Sequence, residues 1–186
     1  RVSEKSLLVR PLAAVFVITC VIQLAGQAVF TARYVRYALT DQSREAFSAQ
    51  GVSRYAVVKW VNDNIDSDAV VMTPYRDIIF LLKPNIFQAH SIDQAIVDVL
   101  PNRRDPRRFV LQVRAAGVTH AIANKRVVAG YGESYDRLMQ AATKAGCFTA
   151  IGEVEAVSQA SRTLRALYRG SETIQILKRT DKNCPW

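Results

Sequence analysis

Histidine is scarce in this chain, with two in 186 residues, and there are three cysteines. His90 and His120 have no metal-ligand spacing to each other or to a cysteine, and no Cys-x-x-Cys pair occurs. The spacing therefore gives no metal site. Both histidines are expected to be structural. No Gly-x-Ser-x-Gly elbow is present. Ser134, in Gly130-Tyr131-Gly132-Glu133-Ser134, follows no expected strand and reads as a loop and helix start. The two glycines of that stretch are too few to cradle a phosphate. Internal repeats and low-complexity tracts are also missing. No catalytic residue, metal or cofactor is expected from the residues alone.

The most informative absence is local. Between Arg10 and Arg33 there is no charged side chain. The stretch Pro11–Ala32 holds 22 residues, about 33 Å as a helix, which matches a hydrocarbon core of ~30 Å. We read it as a single transmembrane helix. A secretory signal would have a shorter apolar core, with a cleavage site near Ala25–Ala28 as the alternative. Thr19, Gln23 and Gln27 recur every four residues and make one polar ridge, with Gly26 beside it. Polar and small residues on one face of a spanning helix mark a helix–helix contact, so a neighbouring helix of the same or another protein is the expected partner. Orientation is not set by charge, because Arg1, Lys5 and Arg10 before the span balance Arg33, Arg36 and Arg44 after it. Tyr34 and Tyr37 read as interfacial anchors. The first residue is Arg1 rather than Met, as expected of a processed chain or a piece of a longer one.

About 130 residues follow the juxtamembrane region, enough for one domain with its own core. The net charge of +9 favours anionic partners. With a membrane segment in the chain, these are membrane lipids. No basic recognition helix or aromatic-and-basic RNA signature is present, so nucleic acid is not expected. Arg103, Arg104, Arg107 and Arg108 put four guanidinium groups into six residues at a helix start. That arrangement suits the phosphate of an anionic lipid, and the alternative is a solvated loop. Asp63, Asp66 and Asp68 miss the calcium-loop spacing and are better explained as helix-end and turn residues.

Periodicity and caps divide the rest of the chain. Residues 33–52 read as a juxtamembrane helix and polar linker. A helix is expected over Ser53–Ile65, capped by Ser53, then a strand over Ala69–Thr73, a helix over Tyr75–Leu82 and a short strand over Asn85–Gln88. Ser91 caps a short helix, Ile92–Leu100. Asp105-Pro106 opens a helix that stops at Gly117. A strand over Val118–Ala123, a helix over Glu133–Ala145 and strands over Phe148–Val154 and Glu172–Lys178 complete the domain, residues 53–186. Strands alternating with helices predict an α/β fold, a small mixed and partly parallel sheet covered by helices. If the last two strands pair antiparallel, Cys147 at the start of one lies beside Cys184 past the end of the other. A disulfide there fits an extracytoplasmic compartment, and two free thiols are the alternative. Cys20 reads as a small apolar residue of the spanning helix.

Several segments together are similar to a known family. They are Val57-Val58-Lys59-Trp60-Val61-Asn62-Asp63-Asn64-Ile65, Asp68-Ala69-Val70-Val71-Met72-Thr73-Pro74 and Ala115-Ala116-Gly117-Val118-Thr119-His120-Ala121-Ile122-Ala123, followed by a strand pair. With the preceding helix, over roughly residues 10 to 180, the pattern resembles the last membrane helix and extracytoplasmic C-terminal domain of bacterial GT-C type glycosyltransferases. These include protein mannosyltransferase and aminoarabinose transferase relatives, which use polyprenyl-phosphate sugars. The resemblance implies a bacterial inner-membrane location, with the domain on the periplasmic side. It carries over no catalytic residue, since that family's catalytic acid lies in an early extracytoplasmic loop with no counterpart here. The chain is then the non-catalytic end of such an enzyme; the alternative is a single-pass accessory subunit of a larger membrane complex.

Overall fold

A computed structural model describes residues 4–89, 105–127, 132–159 and 169–186. The chain divides into two compact units between Phe47 and Ser48. In the first, α1 runs from Glu4 to Ala38 as one helix, with Pro11 inside it. Its stretch Val9–Val29 is long and apolar enough to cross a membrane, and none of it is buried. Apolar side chains make up most of its surface, broken by Thr19, Gln23 and Gln27. Residues 33–52, expected to end in a linker, instead hold a second helix, α2, Arg44–Gly51. Phe47 of α2 packs on the rings of Tyr34 and Tyr37, with centroids 5.8 and 4.4 Å apart.

The second unit is a five-stranded mixed sheet in the order β2-β1-β3-β5-β4. The strands are β1 Val70–Thr73, β2 Asn85–Gln88, β3 His120–Asn124, β4 Phe148–Gln159 and β5 Arg169–Arg179. β1 is parallel to both β2 and β3, whereas β5 is antiparallel to β3 and to β4. Among the described residues three helices cover the sheet: α3 Tyr55–Asn64, α4 Pro106–Ala115 and α5 Glu133–Lys144. Alternation along the strands sends side chains to two cores. Val71, Ile122, Ile174 and Ile176 meet Val57, Val58 and Val61 of α3. Met72, Ala121, Ala123 and Leu177 meet α4 and α5 through Phe109, Val113, Leu138 and Met139. The expected α/β architecture is therefore present, as a sheet between two helical layers.

Three local expectations need correction. Ser53 does not cap α3; Arg54 occupies that position in the left-handed region, at φ 59° and ψ 23°. Tyr75–Leu82 is not an α-helix, and only Ile79–Leu81 form a 3-10 turn. Asn62 on α3 takes backbone groups that a longer helix would use. Its Nδ2 donates to the Leu81 carbonyl at 2.9 Å and its Oδ1 accepts from the Lys83 N–H at 2.7 Å. The third correction is that the connection expected over residues 155–171 is strand at both ends, over 155–159 and 169–171. β4 and β5 pair from Phe148↔Arg179 out to Gln159↔Arg169. Cross-strand bonds from Thr173 and Ser171 hydroxyls to Glu155, at 2.7 and 3.0 Å, tie the outer part of the ladder. Such polar pairs add stability to a ladder without raising its hydropathy. The helix expected over Ile92–Leu100 lies outside the described residues.

Asp105 caps α4 as expected, its Oδ1 accepting from the Arg108 N–H at 3.0 Å, with Pro106 in the first turn. Gly117, just past α4, and Gly146, just past α5, have φ of +71° and +80°, where a side chain would be strained. Cys147 and Cys184 are joined by a disulfide. It holds the C-terminal segment against the α4–α5 core, where Cys184 and Trp186 pack. Arg114 completes this strap, donating to the Trp186 carbonyl at 2.9 Å and pairing with Asp181 at 3.1 Å.

β4 has a bulge between Ala150 and Gly152, and Gly152 lies directly under the Trp60 indole. A Cβ there would overlap the ring. Gly152→Ala is expected to lower the unfolding free energy by about 1–3 kcal/mol through overpacking. Urea denaturation followed by tryptophan fluorescence reads this, and an unchanged midpoint would mean that the indole is free to move aside.

Candidate functional site

The residues nominated from sequence do not form one site. Thr19 spends its hydroxyl within its own helix, donating to the Val15 carbonyl at 2.9 Å. Gln23 and Gln27 are exposed on α1, and nothing lies within 4 Å of where a Gly26 Cβ would stand. Arg107 and Arg108 are exposed in the first turn of α4, while Arg103 and Arg104 lie outside the described residues. The Asp105 carboxylate already occupies one N–H of that helix end. His120 is half-buried, and its Nδ1 sits 2.9 Å from the Thr119 hydroxyl. That hydroxyl also bridges to the Val70 backbone at 3.0 and 3.1 Å, so the pair stitches β3 to β1. Burial and the nearby Lys178 ammonium hold the imidazole below its usual value. Ser134 is in the first turn of α5, and His90, Gly130 and Tyr131 lie outside the described residues. Among the described residues, no His, Cys, Asp or Glu group is arranged to hold a metal ion.

The structure instead brings together six residues at the carboxyl ends of β1 and β3. Open α/β sheets characteristically bind ligands at such ends. Arg54 is the centre. Its Nη1 donates to Asp77 Oδ2 at 2.9 Å, its Nε lies 2.7 Å from Glu172 Oε1, and its guanidinium carbon stands 4.2 Å from the centre of the Tyr75 ring. Asn124, the last residue of β3, donates through Nδ2 to Glu172 Oε2 at 3.1 Å and through its backbone N–H to Asp136 Oδ1 at 3.0 Å. The cluster thus links the loop after β1, the end of β3, β5 and α5 through one arginine and three carboxyl groups.

Burial sets the electrostatics. Asp136 is 3% exposed. Desolvation pushes its pKa up to about 7; the Asn124 N–H opposes this, Glu172 adds to it, and Arg54 counters it. The Tyr75 hydroxyl is raised well above the usual tyrosine range, first by burial and then by the Asp136 and Glu172 charges. Burial opposes the charge on Arg54, but Glu172 and Asp77 outweigh it and hold the guanidinium protonated. Asp136 can therefore exchange a proton near neutral pH, while Arg54 is held between Asp77 and Glu172 as a brace. The geometry describes a buried, proton-sensitive charge cluster.

The cluster was not found by sequence reasoning, because its members are spread over more than 100 positions. One signal was available: Asp136 lies between Tyr135 and Leu138 on the buried face of an amphipathic helix. An acid at such a position needs partners from elsewhere in the fold.

The raised Asp136 pKa has a definite sign. Between about pH 4 and 7 the folded chain binds more protons than the unfolded one, so this group's contribution to stability falls as pH rises through that window. Asp136→Asn keeps a carbonyl oxygen for the Asn124 N–H and removes the titration. Its unfolding free energy is expected to gain on the parent's as pH rises, by at most about 1.4 kcal/mol per pH unit. Denaturant titrations of both proteins at pH 4.5, about 6 and about 8 read the difference, and parallel pH profiles would refute the assignment.

Comparison with protein-family models, with curated proteins and with solved structures returns no match to this chain.

Proposed function

We propose that this chain is a membrane-anchored extracytoplasmic domain serving as the non-catalytic C-terminal part of a lipid-linked-sugar glycosyltransferase. One observation carries the anchoring: an unburied apolar helix, Val9–Val29, precedes a domain closed by the Cys147–Cys184 disulfide. An apolar N-terminal helix and a disulfide are features of a membrane-anchored or secreted extracytoplasmic domain. The glycosyltransferase assignment rests on the segment resemblance described above. Its partners are membrane lipids and neighbouring transmembrane helices. Arg107 and Arg108 present exposed positive charge to a lipid phosphate, as their helix-start position suits.

A second reading, a single-pass accessory subunit, is favoured by the exposed Gln23 and Gln27 beside the open surface at Gly26. The two differ in the natural reading frame. Ten or so further apolar segments upstream of Arg1 would support the enzyme, and a start codon a few residues upstream would support the subunit.

The compartment is tested directly. Alkaline phosphatase fused after Trp186 is expected to be active in bacterial cells. Thiol alkylation without reductant, followed by mass spectrometry, is expected to leave Cys147 and Cys184 unlabelled. An inactive fusion together with labelled Cys147 and Cys184 would place the domain in the cytoplasm and end the proposal.

A further inference from the structure

The outer edge of β2 has groups that the rest of the described fold leaves unused. β2 is an end strand of the sheet among the described residues. In a parallel pair, alternate residues direct both backbone groups to the same side. The Asn85 N–H donates to the Ala69 carbonyl and the Ala89 N–H to the Thr73 carbonyl, each at 3.0 Å. Residues 85, 87 and 89 therefore face β1. The N–H and C=O groups of Ile86 and Gln88 face away from the sheet, and no described element pairs with them.

Three further observations fall on the same edge. Ile79, Phe80, Ile86, Phe87 and Gln88 line a cavity of about 400 Å³. Phe80 is 90% exposed, which leaves nearly all of a large apolar ring in water. Gln88 Nε2 is buried with no hydrogen-bond partner among the described residues, and a buried donor left unpaired is destabilising. Apolar walls with one convergent polar group are the usual make-up of a binding cavity. Lys83, exposed just before β2, adds a positive charge at one end of the strand.

We propose that this edge is a docking site for an extended peptide segment of another protein, one that carries apolar side chains and an acidic residue alongside Lys83. The segment adds to the sheet as a sixth strand. Its backbone pairs with Ile86 and Gln88, a carbonyl of the segment accepts from Gln88 Nε2, and its apolar side chains cover Phe80 and Phe87. Backbone pairing supplies affinity, and the cavity beside Phe80 selects the side chain. A paired sixth strand removes the exposed edge, which is otherwise an aggregation liability. The inference is independent of the glycosyltransferase reading, since it uses only groups of the α/β domain.

The test uses the full chain in lipid nanodiscs and fluorescein-labelled capped peptides of alternating Val and Thr, headed by Glu or by Lys. The Glu-headed peptide is expected to give saturable anisotropy and to bind more tightly than the Lys-headed one, with the gap closing at high salt. Phe80→Ala, a change at an exposed position, is expected to weaken binding by roughly tenfold. Saturating peptide is expected to slow amide exchange at Ile86 and Gln88 while leaving Phe87 unchanged. No saturable anisotropy from either peptide would overturn the proposal. So would equal binding by Phe80→Ala, unaltered exchange at Ile86 and Gln88, or binding reproduced by empty nanodiscs.

Discussion

The backbone ladder of β3 is the interaction on which the rest of the domain depends. His120–Asn124 is bonded to β1 on one side, parallel, and to β5 on the other, antiparallel. The sheet changes direction at this strand, so both layers of helix are registered through it. Ile122 points into the core beneath α3, whereas Ala121 and Ala123 point into the core beneath α4 and α5. Tyr135 reinforces the arrangement from α5, its hydroxyl donating to the Ile122 carbonyl at 3.1 Å. Slipping β3 by one residue would exchange the two faces and bury Asn124 and His120 in the wrong layers.

The Arg54 cluster is a consequence of that registration. Once β3 is placed between β1 and β5, Asn124 stands beside Glu172 and the N-terminal half of α5, and the loop after β1 lies on the same end. Three carboxyl groups then share one desolvated region with a single guanidinium. Arg54 adopts a left-handed backbone, a conformation that costs a non-glycine residue of order 1 kcal/mol. Its contacts with Asp77, Glu172 and Tyr75 compensate for that strain. Burial in the same region pushes the Asp136 pKa up to about 7, and the Glu172 charge adds to the shift.

The disulfide and the terminal strap act at the opposite end of the β4–β5 hairpin. Cys147 precedes Phe148, which pairs with Arg179, so antiparallel pairing brings the C-terminal segment back beside the start of β4. Gly146 allows that close approach, since the Asn183 carbonyl oxygen lies 2.9 Å from where a Cβ would stand. Trp186 and Cys184 extend the core beneath α4 and α5.

Much of this fold is legible in local chemistry. The uncharged run after Arg10, the Asp105-Pro106 helix start, the stops at Gly117 and Gly146 and the short strand Asn85–Gln88 each follow from nearest-neighbour rules of solvation, capping and backbone freedom. Those rules act over a few residues, so a single sequence displays them. Other features depend on partners that approach only in the folded chain. Asn62 binds the backbone beside the 3-10 turn Ile79–Leu81, polar cross-strand bonds tie the outer β4–β5 ladder, and Arg54 rather than Ser53 takes the N-cap position of α3. The candidate site belongs wholly to this second class. Its charges are set by burial and its members are joined by strand order, and both are properties of packing that no local stretch of this sequence contains. What the sequence alone determined was a long apolar N-terminal helix and the make-up of an α/β domain. Tertiary structure decided which charges meet and which edge stays open, because long-range strand pairing selects those neighbours.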